Sequence, residues 1–501
     1  MSSTLWPKVS SAFVDRSLTA HSLMGLVISA ILYIVCVSGT VAVLEDEFGW
    51  WERADTPAVT EVTPAAVQNA IDHVVATQPE SEHVLLYLPR ENWPRFVIGG
   101  DDGLETANAN GEAVAGYDTA WNEFLIHLHY YLSIPEDLPG LPENFGLGMI
   151  IVAIFGVMMV GMSISGLLAH PRIFRDAFRL KREGQQRLVQ ADIHNRLSVW
   201  TLPFNIIVAG TGALIGLFVV IALVMSLASY GTPTGLTDAV FGSEGEIDRT
   251  PAPLADGPAA LATLATLEPD ARPFLLVIED PGTVSQMVEV IAEIPDRLVY
   301  SEPYMFSADG ELTEVEGNTD GPAGQQIFNS VYRLHFGDFG GTAMKIAYIV
   351  LGTLLCIMVA TGLNIYFLKR AEKGRPQPKL ASAWSALVWG TPFLMAFTLF
   401  MSVVGLGEMA MVAVFWLGSL AIPLIGFVLA DAAKTGVWTR RATGAIMVLT
   451  GVVHSVMNAS ALSNHTMLVL NASLIITGIC LLMGPFWTKE KAAPVRPQHA
   501  E

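Results

Sequence analysis

Four histidines stand at the edges of the first four long apolar stretches: His21, His129, His194 and His335. Imidazole is costly in hydrocarbon, so a ring that recurs at successive membrane edges needs an explanation. A neutral imidazole can bind a metal through one nitrogen while the other makes a hydrogen bond. Taken singly, each of these residues is most simply an interfacial side chain with its tip in water. Taken together they suit axial ligation of haem iron, and with it one-electron transfer.

The elements that must position them follow from composition. Of 501 residues, 52% are hydrophobic and 15% charged, and the mean hydropathy is +0.46. These values point to a membrane protein. Apolar spans are read at about 21–44, 145–169, 194–228 and 342–368, then 383–405, 408–430, 442–461 and 466–486. Each is long enough, at ~1.5 Å per residue, to cross a hydrocarbon core of ~30 Å. The expected fold is a mainly α membrane protein with eight transmembrane helices. Residues 1–45 hold the N-terminus and first span, read as an anchor and not a removed signal. Residues 127–228 hold the second and third spans and a basic loop, 334–370 the fourth span, and 371–501 a four-helix extension.

The net charge of −19 lies in two polar segments, 46–126 and 229–333. Each reads as a small α+β domain, and their similar order suggests a duplicated module. In the first, Thr63 caps a helix to Ala76, and strands are read at 83–88 and 95–98. In the second, strands are read at 274–278, 298–306 and 312–315, with a helix at 284–294. The basic residues cluster in short connections, densest at Arg172, Arg175, Arg179, Lys181, Arg182 and Arg187. Basic connections stay cytoplasmic, which puts both termini inside and both acidic domains outside. On that topology His21 and His194 share the cytoplasmic face, while His129 and His335 share the outer one. Two pairs suit two bis-imidazole haems stacked through a four-helix core.

Other residues carry less. His127 lies two positions from His129, faces another way on a helix, and is a reserve ligand. His170, beside Pro171, is a second reserve. His454 and His465 suggest a further site near the outer face, whereas His73, His83 and His499 read as solvated. Cys36, Cys356 and Cys480 all lie in apolar spans. No CxxCH exists for covalent haem, and no compact cluster for zinc. No strand–GxGxxG–helix context exists for a flavin or nicotinamide domain, so electrons must come from elsewhere. No nucleic-acid partner is expected.

Several ordered motifs resemble the PepSY-associated transmembrane proteins, an iron-regulated inner-membrane group that includes ferric-siderophore reductases. His21-Ser22-Leu23-Met24-Gly25-Leu26 is similar to its opening motif, and Leu128-His129-Tyr130-Tyr131-Leu132 to its second-span motif. His170 to Asp176 resembles its basic loop. Asp192-Ile193-His194-Asn195-Arg196-Leu197-Ser198, with Leu202-Pro203-Phe204, is similar to its third-span motif. Leu334 to Gly341 resembles the fourth. The resemblance spans about 15–370. It implies PepSY-like periplasmic domains, a four-helix core and two haem b groups with His21, His129, His194 and His335 as axial ligands. The family's histidine after Leu-Pro-Phe is Asn205 here. The function expected is that of an inner-membrane electron-transfer protein that reduces periplasmic ferric iron, held as a ferric siderophore or another ferric chelate. The donor is a quinol or a cytoplasmic reductase. The alternative is a non-enzymatic accessory that binds a siderophore or regulates a peptidase.

Overall fold

A computed structural model describes residues 10–90, 93–136, 138–140, 146–170, 173–177, 185–233, 235–236, 247–295 and 297–484. Arg172, Arg179, Lys181, Arg182 and His499 lie outside the described residues. The chain divides into two compact units, Met1–Pro376 and Gln377–Glu501.

The first unit begins with α1, Ser11–Ala42, capped by Ser10, which accepts a hydrogen bond from the Phe13 amide. A turn leads into α2, Glu45–Glu52, whose three leading acids suit the positive end of a helix. Then come α3 (Pro64–Thr77), β1 (His83–Tyr87), β2 (Phe96–Gly100), β3 (Gly103–Ala107), β4 (Ala113–Gly116) and α4 (Ala120–Tyr131). Thr63 does cap α3, and a proline fills its first turn. Next are α5 (Leu147–Ala169), the single turn α6 (Ile173–Asp176), α7 (Gln186–Trp200) and α8 (Leu202–Ser229). The unit closes with α9 (Gly257–Leu267), β5 (Arg272–Glu279), β6 (Met287–Glu293), β7 (Glu302–Phe306), β8 (Leu312–Val315), α10 (Ala323–Phe336) and α11 (Gly341–Glu372).

The two acidic segments contribute four strands each to one antiparallel sheet of order β4-β3-β2-β1-β5-β6-β7-β8. The join is the β1–β5 ladder, centred on Leu85 opposite Val277. Helices α3 and α9 close one core over it, with Ile71, Val74 and Leu264 against Leu86, Ile98, Leu276 and Val290. Both segments contribute to this one core, which ties them together along the shared edge.

Two local expectations fail. The helix read at 284–294 is strand β6, whose burial alternates along its length. Val288, Val290 and Ala292 are buried and Glu289 and Ile291 between them are less so, so the period is two and not 3.6. The third span is two helices. The chain breaks at Thr201, and Pro203 sits in the first turn of α8, where its missing N–H costs nothing. His194 therefore lies on α7, outside the span.

The second unit holds α12 (Pro378–Val403), α13 (Glu408–Leu429), α14 (Ala432–Met457) and α15 (His465–Met483). Its centre is polar for a bundle: Ser382 meets Thr435 at 3.0 Å, and the His454 ring meets the Asn471 amide at 3.1 Å. His454 is buried, whereas His465 opens α15 exposed.

Among the described residues, seven helices are long and apolar enough to cross a membrane: α1, α5, α8, α11, α12, α13 and α15. The protein is a multi-pass membrane protein. The eighth expected span falls on α14, which carries Lys434, Arg440 and Arg441 in its first half; these cut its apolar stretch short, and it is not among the seven.

Candidate metal centres

The sequence-predicted histidines meet in two pairs. His129 and His335 have ring centres 6.2 Å apart, with planes inclined by 16°. His21 and His194 have centres 6.3 Å apart, with planes inclined by 72°. Two imidazoles on opposite sides of one metal at about 2.0 Å, with roughly another 1.1 Å from each nitrogen to its ring centre, have centres about 6.2 Å apart. Both pairs have that spacing.

Each ring rests on a neighbouring span in the same manner. His21 Nδ1 lies 3.1 Å from the Met162 carbonyl and 3.2 Å from the Ser165 hydroxyl on α5. His129 Nδ1 lies 3.2 Å from the Ser38 hydroxyl on α1, with the Val35 carbonyl as a further acceptor. His194 Nδ1 lies 2.9 Å from the Met358 carbonyl and 3.4 Å from Thr361 on α11. His335 Nδ1 lies 3.0 Å from the Val208 carbonyl and 3.2 Å from Thr211 on α8. A carbonyl can only accept, so Nδ1 carries the hydrogen in all four rings. The hydroxyls point their own hydrogens at their helix backbone, as Ser38 does to Val35 and Thr361 to Ile357. The Nε2 lone pair is thereby left for a metal, an arrangement that fixes both tautomer and ring direction.

The residue after each hydroxyl is glycine. A Cβ added at Gly39 would stand 2.5 Å from the His129 ring, and one at Gly212 would stand 2.6 Å from His335. The same addition at Gly166 or Gly362 would reach 3.1 Å from His21 or His194. Four spans thus carry one cradle: a carbonyl, then a hydroxyl three residues on, then a glycine. The sequence reading missed these residues. The signal was present as Ser38-Gly39, Ser165-Gly166, Thr211-Gly212 and Thr361-Gly362, one in each of the first four spans.

Short helices bring the rings in. His129 ends α4, which reverses through left-handed Leu132 and Ser133. His335 ends α10, which reverses at left-handed Gly337. Burial pushes the pKa of His129 down to about 3, with His335 nearby adding to the effect. Burial likewise pushes His194 and His335 down to about 4, against the opposing pull of the carbonyls each one meets. All three rings are therefore neutral and able to ligate.

Beside the His129–His335 pair lies a cavity of about 390 Å³, walled by α1, α5, α8 and α11 and by aromatic side chains including Tyr130, Tyr332 and Phe336. The donor set of two neutral imidazoles, the ring spacing and the apolar cavity fit a bis-histidine haem b. The His21–His194 pair offers the same donors. Along α1, the 18 residues from His21 to Gly39 measure about 27 Å at ~1.5 Å each, so the pairs sit near opposite ends of the bundle.

The reserve residues stand apart. His127 is half-exposed and 3.9 Å from Glu136. His170 follows the end of α5, its Nδ1 buried. His73 and His83 face Glu105 and Asp101 at the sheet surface. Asn205 is buried on α8, with its amide on Thr201 and near the sulfur of Met358, whose carbonyl holds His194.

Residues 18–370 match the family described as the PepSY-associated TM region. The chain is also 26% identical over 268 residues to an uncharacterized protein of Pseudomonas aeruginosa, covering 50% of this chain and 64% of that relative.

Proposed function

The chain belongs to the PepSY-associated transmembrane family, and we propose that within it this protein is a di-haem b electron carrier of the bacterial inner membrane. It passes electrons outward to periplasmic ferric iron, held as a ferric siderophore or a similar chelate. The observation that carries this reading is the repeated ring geometry: two imidazole pairs at 6.2 and 6.3 Å, every Nδ1 tied to a span. Haem bound at the two pairs would supply one-electron centres near the two membrane faces.

The chain's own residues do the rest. Ser38, Ser165, Thr211 and Thr361 orient the rings, and the glycines beside them admit the rings to the bundle. Lys369 and Arg370 end α11 opposite the sheet, which supports a cytoplasmic His21–His194 pair and a periplasmic sheet. A quinol or a cytoplasmic reductase would feed the inner pair. Reduction weakens chelation, because hard oxygen donors hold Fe(III) better than Fe(II).

The test is direct. Purified protein should show a b-type Soret band and a pyridine haemochrome equivalent to two haems. The dithionite-reduced form should be reoxidised anaerobically by a ferric siderophore. A protein without haem refutes the reading and leaves the sheet as a binding module. A haem protein that stays reduced has another acceptor.

The ring planes give a second expectation. Near-parallel imidazoles donate π density along one direction and split the iron d orbitals strongly, whereas crossed imidazoles do not. Low-temperature EPR of the oxidised protein should show one rhombic low-spin signal and one strongly anisotropic signal in equal amounts. Two identical rhombic signals would contradict the 16° and 72° inclinations.

A further inference from the structure

The cavity beside His129 and His335 is apolar and aromatic, and among its described lining residues Glu45 is the one carboxylic acid. Glu45 is the first residue of α2, so the exit of α1 aims its side chain back towards the bundle. The neighbouring cations are engaged by other acids. Lys345 on α11 meets Glu47 at 2.8 Å and Asp46 at 3.7 Å. Arg90, after β1, meets Asp46 at 3.4 Å. Among the described residues, Glu45 has no ion pair of its own. It therefore faces the cavity as a partly buried acid whose charge depends on what the cavity holds.

Resting on the di-haem reading, we propose that Glu45 is the proton-coupling group of the outer centre. It binds one proton from water on the sheet side for each electron that arrives there, and releases it when the electron leaves. The step balances. One electron removes one positive charge from the cavity, and the carboxylate gains one proton to become a carboxylic acid. Departure of the electron to the ferric substrate reverses both. No bond other than O–H forms or breaks.

The electrostatics support this. Burial pushes the Glu45 pKa up to about 8, with Asp46 and Asp338 adding to the rise and Lys345 and Arg90 opposing it. Tyr130 on α4 and Tyr300 before β7 also face this carboxyl from the elements around it. A ferric centre in the cavity adds a positive charge and favours the carboxylate, and reduction removes that charge. The sign follows: the outer potential should fall as pH rises through neutrality, because the acid form that accompanies the reduced centre becomes harder to make.

The experiment is an optical redox titration of the di-haem protein from pH 6 to 9. The outer component is identified as the one lost in His129→Ala. In the native protein its midpoint should fall by up to a tenfold change in equilibrium constant per pH unit, about 59 mV for one electron. In Glu45→Gln that dependence should vanish with both haems retained. Glu45→Asp should keep it with a displaced pH range, and serves as the working variant if the glutamine form loses haem. Redox-difference infrared spectra should show a carboxylic acid C=O band that Glu45→Gln removes. A flat native profile, or an unchanged slope in Glu45→Gln, overturns the role of Glu45 while leaving the haem reading intact. Absence of haem would instead refute that reading.

Discussion

Purified His129→Ala and His335→Ala proteins are each expected to carry about one haem instead of two. The retained haem should give the strongly anisotropic EPR signal. His21→Ala and His194→Ala should do the reverse and keep the rhombic one. Each haem would be gripped by one ring from each half of the bundle, so the loss of either ring leaves a single ligand beside an empty cradle. Truncation also opens a cavity in a packed bundle, which costs a few kcal/mol. His127→Ala is the control. Its side chain is half-exposed and near Glu136, so two haems should remain. Pyridine haemochrome per mole of protein decides the matter; two haems retained in both His129→Ala and His335→Ala would sink the assignment.

The second large effect lies in the cradles. Gly39→Ala and Gly212→Ala put a methyl group 2.5 and 2.6 Å from the His129 and His335 rings. Relief requires the ring to leave its hydrogen bonds or the helices to part. Overpacking of this kind costs about 1–3 kcal/mol, or roughly 5- to 150-fold in haem affinity if the strain falls on the ring. At Gly166 and Gly362 the added carbon stops at 3.1 Å, a contact that a small shift relieves. The outer haem should therefore be lost in Gly39→Ala and Gly212→Ala, while the inner haem largely survives Gly166→Ala and Gly362→Ala. Haem stoichiometry with the EPR signatures measures both. Equal losses at all four positions would show that the glycines serve general helix packing instead.

That packing role explains why the cradles were hard to read. Threonine followed by glycine also occurs at Thr435-Gly436, Thr443-Gly444, Thr450-Gly451 and Thr477-Gly478 in the second unit. There it allows helices to touch: a Cβ on Gly444 would stand 2.5 Å from the Gly478 carbonyl. The dipeptide alone does not say whether a helix or an imidazole fills the gap. The ring that fills it is up to 167 residues away in sequence, as for His194 and Thr361. The histidines themselves were legible, because an ionisable ring at an apolar edge stands out against its surroundings. Helix α3 was legible from its cap and its period. Strand β6 was misread because valines and acids close together satisfy either period over a short window. The single sheet was hidden for another reason. Hydropathy shows where strands run but not which edges meet, and the β1–β5 ladder joins His83–Tyr87 to residues near 277.

That ladder has a consequence for ancestry. The strand order is a palindrome about the β1–β5 pair, and each half supplies the same succession of span, helix, four strands, helix and span. Exchange of the halves maps one onto the other, which is the property of an isologous contact between identical subunits. A half-length forebear could have formed both centres only as a homodimer, with paired histidines equal by symmetry. Fusion would release that constraint: the two rings of each pair, and the two cradles that hold them, become separately mutable, and a single acid, Glu45, can stand in one half alone.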